Sequence, residues 1–208
     1  MAEEMVILVH GLWMNGMDMT IMRQRLAHSG YRSHRFSYHT LRHSPLQSAL
    51  ELQRAIAELD AAVLHFVCHS LGGLIIRHLF HEHPDQRPGR VITLGTPHQP
   101  SSAAMHLAHT VPGRWLLGRS TDQGLLGNVP AWTGSHELAS IAGDLRFGMG
   151  MIFPDIPRPN DGTIAVEETR LPGMKDHVTV HASHFGLLFS REVQQYVERF
   201  LASGKFSE

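Results

Sequence analysis

The 208-residue sequence predicts an α/β fold, a mostly parallel sheet with helices on both faces, and three features predict it. Short apolar runs recur along the chain, as expected for parallel strands buried on both faces. Between them lie stretches whose apolar residues return at three- and four-residue steps, the period of a helix packed on one side. Finally, Val63-Leu-His-Phe-Val-Cys68-His69-Ser70-Leu71-Gly72-Gly-Leu-Ile-Ile76 joins one apolar run to the next through a sharp turn with a serine at its apex. A strand and helix that nearly touch need small residues beside that serine. Gly72 supplies one, and Cys68 stands on the other side.

Met5 to His10 is a continuous apolar strand ending in His10-Gly11-Leu12-Trp13. Residues 18 to 29 read as a helix, with Asp18 as N-cap, Met22 and Leu26 facing inward and Gly30 as its stop. Tyr31 to Tyr38 is a second strand, and its basic and histidine residues suggest a sheet edge. Pro45 opens a helix marked by Leu46, Ala49, Leu52, Ile56 and Leu59. The strand before Ser70 follows, then a helix through about His81, then a strand over Arg90 to Pro97. Strand and helix alternating at this spacing imply parallel pairing with right-handed crossovers.

The second half is less regular. Residues 98 to 135 admit three readings: a surface connection, an acyl-binding wall or a small cap, and the length of the irregular stretch favours a modest cap. Ala103 to Ala108 is a short helix within it, and Val111 to Leu117 mixes apolar residues with breakers. Glu137 to Gly143 is a further strand, Gly148 to Asn160 a loop, Thr163 to Val166 a short strand or extended piece, and His177 to His181 the last strand. A final amphipathic helix runs from about Gly186 to Leu201, with Leu188, Val193, Val197, Phe200 and Leu201 inward. Without a repeat or linker, 1–208 reads as one domain.

Composition removes several function classes. A net charge of −1 gives no electrostatic footprint for nucleic acid, and no apolar run has membrane-span length. The acidic start, Met-Ala-Glu-Glu, is not that of a signal peptide, and the single cysteine, Cys68, allows no intramolecular disulfide; both suit the cytoplasm. Seventeen histidines would make the chain strongly cationic in mild acid. His78 and His81 share a helix face near His83 but have no acidic or cysteine partner at ligand spacing, so no metal site is expected.

Cys68-His69-Ser70-Leu71-Gly72 resembles the nucleophile elbow of the α/β-hydrolases, and the added Gly73 looks like the lipase/esterase branch. His10-Gly11-Leu12 is similar to the His-Gly-x of lipases after the first strand, and Thr96-Pro97-His98 is frequent in this branch. Asn160-Asp161-Gly162-Thr-Ile-Ala-Val, followed by Ser183-His184-Phe-Gly-Leu-Leu, resembles the corresponding stretch of small bacterial lipases and esterases. The resemblance spans nearly the whole chain and implies a minimal α/β-hydrolase sheet of about six strands, since the hairpin that precedes the first strand in larger members is missing. It implies Ser70 as nucleophile, Asp161 as acid and His184 as base, in the order serine, acid, histidine. Asp144 and Asp155 are rival acids, and His181 and His177 rival bases.

Two backbone amides, those of Leu12 and Leu71, are the expected oxyanion hole. Trp13 and His10 are expected at the substrate pocket, His10 also as a hydrogen-bonded support for its loop. Phe-Gly-Leu-Leu after His184 lacks the aspartate that supports a structural calcium in some bacterial lipases, so neither that ion nor any cofactor is expected. The function implied is cleavage of a small-molecule acyl ester through an acyl-enzyme. Thioester or amide hydrolysis by the same triad, or a binding protein retaining the fold, are the alternatives.

Overall fold

The computed structural model describes residues 4–148 and 156–207. Its strands are β1 (Glu4–Val9), β2 (Arg32–Phe36), β3 (Val63–His69), β4 (Arg90–Leu94), β5 (Glu137–Gly143) and β6 (Asp176–Val180). They form one sheet in the order β2-β1-β3-β4-β5-β6, and every pairing is parallel. The chain enters in the sheet, winds out to β2 and crosses back to β3, so the order reverses between β1 and β3. In an open parallel sheet the crevice at the carboxyl ends of such a pair is where ligands bind.

Alternation along β1 explains the two cores. Met5, Ile7 and Val9 face one side with Phe66 and Cys68, beneath α2 (Pro45–Ala57) and α3 (Leu71–Glu82). Val6 and Leu8 face the other with Val67 and Ile92, beneath α1 (Thr20–His28) and α7 (Arg191–Ser203). Each central strand is therefore buried on both faces, which is why the sequence reads there as unbroken apolar runs.

Local chemistry sets the helix ends. Ser44 caps α2 by accepting the Gln47 N–H, and the Gln47 side chain returns the bond to the Ser44 N–H. Asp18 does not cap α1: Met17–Met19 form a 3₁₀ turn first, and the Asp18 carboxylate accepts from the Asn15 N–H instead. Val111–Leu117 is a helix, α5, despite Pro112 and Gly113, because both fall in the first turn, where Thr110 caps it. It follows α4 (Ser102–Ala108).

The expected terminal helix is two helices, α6 (Gly186–Phe189) and α7, separated by Ser190, whose extended backbone lets its hydroxyl accept the Val193 N–H. Its five inward residues are all buried as expected. Thr163–Val166 is not a strand. Only an isolated bridge between Asn160 and Ala165 forms, closing a tight turn that runs into a 3₁₀ segment, Glu167–Thr169. Much of the expected Gly148–Asn160 loop, and with it Asp155, lies outside the described residues. No helix among the described residues is long and apolar enough to cross a membrane.

Candidate active site

Ser70 sits between β3 and α3 with φ 52°, a left-handed conformation that costs a non-glycine residue energy and persists only where its surroundings enforce it. The enforcement is visible. The Ser70 N–H donates to the Leu94 carbonyl, and the Ser70 carbonyl accepts from the Gly73 N–H and, at 2.8 Å, from the Thr96 hydroxyl. A Cβ on Gly72 would stand 2.5 Å from the Val9 carbonyl oxygen, and one on Gly73 2.3 Å from Thr96 Oγ1. Both glycines are therefore demanded by the approach of α3 to the strands. Cys68, by contrast, points into the core, fully buried, and burial pushes its thiol pKa well up.

Asp161 and His184 meet at the same end of the sheet. His184 Nδ1 lies 2.7 Å from Asp161 Oδ2, and the His184 backbone N–H donates to the Asp161 carbonyl at 2.8 Å. The other carboxylate oxygen, Oδ1, accepts the N–H groups of Thr163 and Ile164 at 2.9 and 2.7 Å. A carboxylate can only accept here, so the proton of the His184–Asp161 bond belongs on Nδ1, and in the neutral ring Nε2 is then the nitrogen that carries the lone pair. Gly95, at φ +56°, makes room for the pair: a Cβ there would lie 3.0 Å from His184 Nδ1 and 3.1 Å from Asp161 Oδ2.

The rivals separate cleanly. Asp144 and His181 bond to each other at 2.9 Å on the surface, His181 with 76% of its side chain exposed. His177 bonds Thr169 instead. Ser70 and His184, in contrast, line one cavity of about 280 Å³. Neither the Ser70 hydroxyl nor His184 Nε2 has a hydrogen-bond partner among the described residues, and neither is sealed from solvent, so both are open to that cavity. The Leu71 N–H belongs to the first turn of α3, where helical amides have no partner within the helix, and the Leu12 N–H is likewise unpaired among the described residues.

The cavity is largely apolar, lined among others by Trp13, Ala104, Leu107, Leu117 and Phe185. The 98–135 stretch thus contributes side chains to the wall. Its two ends are held against α3 by the buried Arg77, whose guanidinium donates to the carbonyls of His98, Val129 and Pro130. Trp13 donates its indole N–H to the Leu116 carbonyl at 2.8 Å, tying the loop after β1 to α5. His10 does not line the cavity. It is fully buried and stacked on Tyr38 at 4.4 Å, and its carbonyl accepts from the Tyr38 hydroxyl, so it supports the loop from beneath.

The sequence suggests a structural role for His69, but the contacts of the supporting residues are not legible in it. His69 donates Nε2–H to the His184 carbonyl at 3.0 Å, and burial, with the neighbouring His184 ring, brings its pKa down to about 3. It is a neutral prop for the loop that carries His184. Thr96 and Gly95 lay in a Gly-Thr-Pro stretch given no chemistry, and only their contacts reveal what they do. His78 donates to the Gln123 carbonyl, and no group of three or more potential metal ligands occurs among the described residues.

A doubly wound parallel sheet with a strained serine after β3 and a carboxylate–histidine pair beyond the later strands is the architecture of the α/β-hydrolases, and the chain has the α/β-hydrolase fold. A family model described as "Putative serine esterase (DUF676)" matches residues 1–99. The mature lipase BlEst2 of Bacillus licheniformis superimposes with TM-score 0.74 at 19% identity, over 97% of this chain and 91% of that one. The esterase EaEST of Exiguobacterium antarcticum gives 0.67 at 14%, over 97% and 93%. The phospholipase PlaB of Legionella pneumophila gives 0.71 at 14%, over 96% of this chain but 56% of that one. No curated protein matches the chain in sequence.

Proposed function

We propose that the protein is a serine hydrolase that cleaves carboxylic esters by two-step acyl transfer. The observation that carries the reading is the arrangement of Asp161, His184 and Ser70: a buried carboxylate fixes Nδ1–H of an imidazole whose Nε2 opens into the cavity that also holds the serine. His184 takes the Ser70 proton as Oγ attacks the ester carbonyl. The developing oxyanion is held by the Leu12 and Leu71 amides, and the alcohol leaves with the proton that His184 returns. Water, activated by the same imidazole, then releases the acid. The resemblance to a serine esterase family model over 1–99, and to lipases and esterases in fold, supports an ester rather than an amide.

The apolar cavity is offered as the acyl site, with the alcohol side toward Trp13 and solvent. The test is labelling by a fluorophosphonate, with the modified peptide identified by mass spectrometry, alongside hydrolysis of p-nitrophenyl esters and acyl-CoA. Label on Ser70, lost in Ser70→Ala, and turnover of the esters are expected. An unlabelled, well-folded protein would overturn the reading in favour of a binding protein, and preference for acyl-CoA would move it to a thioesterase.

A further inference from the structure

Glu168 is a carboxylate that the proposed reaction leaves unused, and it is buried to 7% exposure without a cationic partner among its described contacts. Two backbone N–H groups bond its carboxylate, and the Ser102 side chain also interacts with it. Oε1 accepts the N–H of Ser102, the first residue of α4, at 2.8 Å, and Oε2 accepts the N–H of Ala165 at 3.2 Å. Its own carbonyl accepts the Gln99 N–H at 3.1 Å, and its N–H donates to the Ala165 carbonyl at 3.0 Å. One residue thus bonds two segments that are distant in sequence. The first is the turn 160–165, which carries Asp161 and lines the cavity through Thr163 and Ile164. The second is the start of α4, which lines it through Ser101, Ala103 and Ala104. Ala103 and Ala165 also belong, with Ile156, to one small apolar cluster.

We propose that Glu168 is a positioning residue that locks the Asp161 turn to the first turn of α4, so that the acid of the site and the wall of its cavity are held as one unit. The proposal rests on the reading of Asp161 as the acid. A carboxylate is the group suited to this task, because both of its oxygens accept, and bonds from backbone N–H groups to an ionised acceptor are stronger than neutral ones. Burying it without a cation is costly, and the two backbone donors together with the Ser102 side chain are the compensation. Burial, with the charge of Asp161, raises its pKa, while the Ser102 and Ala165 contacts hold it down. The other charges nearby are engaged elsewhere: Glu167 pairs with Arg170 at 3.1 Å on the outside of the same turn, and His177 of β6 bonds Thr169.

Glu168→Gln tests this, since it keeps the size but turns a donor NH₂ toward one of the two amides. Amide hydrogen exchange followed by NMR reads positioning without any turnover. Exchange of Ser102 should accelerate together with that of Thr163 and Ile164, the two amides held by Asp161 rather than by Glu168. With p-nitrophenyl esters, kcat should fall about tenfold through the misplaced acid, and KM should rise for acyl chains long enough to reach α4 but not for acetate. Glu168→Asp, whose shorter arm reaches one side only, should recover part of the loss. Unchanged protection of Thr163 and Ile164 in Glu168→Gln, with wild-type kcat and KM and only a lower Tm, would overturn the proposal and leave Glu168 a structural anchor. If the wild type hydrolyses no ester, the exchange data still decide the coupling, and the failure belongs to the esterase reading.

Discussion

Asp161 and His184 are joined twice, by the 2.7 Å bond between carboxylate and imidazole and by the 2.8 Å bond from the His184 backbone N–H to the Asp161 carbonyl. The second bond fixes the histidine's backbone, so the first need only orient the ring. Because Thr163 and Ile164 hold Oδ1, an asparagine at 161 would keep its oxygen there and turn its amide nitrogen toward His184. His184 would then have to accept on Nδ1 and carry its proton on Nε2, the wrong tautomer for a base. Asp161→Asn should lower kcat/KM on the order of 10³- to 10⁴-fold with little change in Tm. Asp144→Asn, which touches only the surface pair with His181, should leave kcat/KM unchanged in the same assay.

Gly95 predicts a separation of activity from stability. Its left-handed φ makes alanine strained there, and the new Cβ would press on Leu187 Cδ1, His184 Nδ1 and Asp161 Oδ2 at 2.9–3.1 Å. These are side-chain atoms that can give by a few tenths of an ångström. Gly95→Ala should fold, lose roughly 1 kcal/mol to backbone strain, and lose at least about tenfold in kcat. Urea unfolding and ester kinetics on one preparation decide it.

Gly72 and Thr96 should behave differently. The obstruction at Gly72 is the backbone of β1, which cannot yield without moving the sheet, so Gly72→Ala should cost about 3 kcal/mol or more, or prevent soluble expression. Thr96→Val removes only the hydroxyl that bonds the Ser70 carbonyl. It should cost about 1–2 kcal/mol and slow fluorophosphonate labelling of Ser70, through a looser turn.

Acid should unfold the protein early. Burial lowers the pKa values of His10, His65, His69, His78, His98, His136 and His177, with His69 and His98 brought down to about 3. Between about pH 6.5 and those folded values the unfolded chain binds more protons than the native one, so stability is present above pH 6.5 and is lost as the pH falls. His69 and His98 alone contribute a slope of about 1.4 kcal/mol per pH unit each across that window. Glu168, raised rather than lowered, works in the opposite direction: its contribution is present at low pH and lost as pH rises through its folded value. Melting temperature measured from pH 8 to 4.5 should fall steeply below pH 6. A flat profile would show that these histidines are not buried neutral.

The cavity's apolar wall should set acyl length. Ala104 lines it and is almost fully buried, so Ala104→Trp would fill space within the 280 Å³ beside Ser70. Hydrolysis of p-nitrophenyl acetate should survive, while kcat/KM for the octanoate falls about tenfold or more. Equal loss on both esters would place the acyl group elsewhere.

Much of this was legible from residues alone. All six strands were readable in the residues, the central ones as apolar runs, and the basic pattern of Tyr31–Tyr38 marked β2 as an edge, which the strand order places it at. What misread was local. Asp18, a good capping residue by type, was drawn to the Asn15 N–H, and Thr163–Val166 looked extended because β-branched residues read as strand, although its amides turn inward to the Asp161 carboxylate. His10 was placed in the pocket by its neighbours in sequence, but in a strand-end geometry alternate side chains point apart, and this one points down onto Tyr38.

By itself the sequence determined the sheet and the order in which its chemistry appears, because burial on two faces and a turn around a strained serine leave periodic, short-range marks. Which aspartate meets which histidine was decided only by tertiary structure. The motif order favours Asp161 with His184 over their rivals Asp144 and His181, and the two pairs part in space when folding exposes one and buries the other beside Gly95. The bonds of Thr96, His69 and Glu168 belong to the same class. Each joins residues more than twenty positions apart in at least one of its contacts, and such contacts leave no periodic signal in the chain.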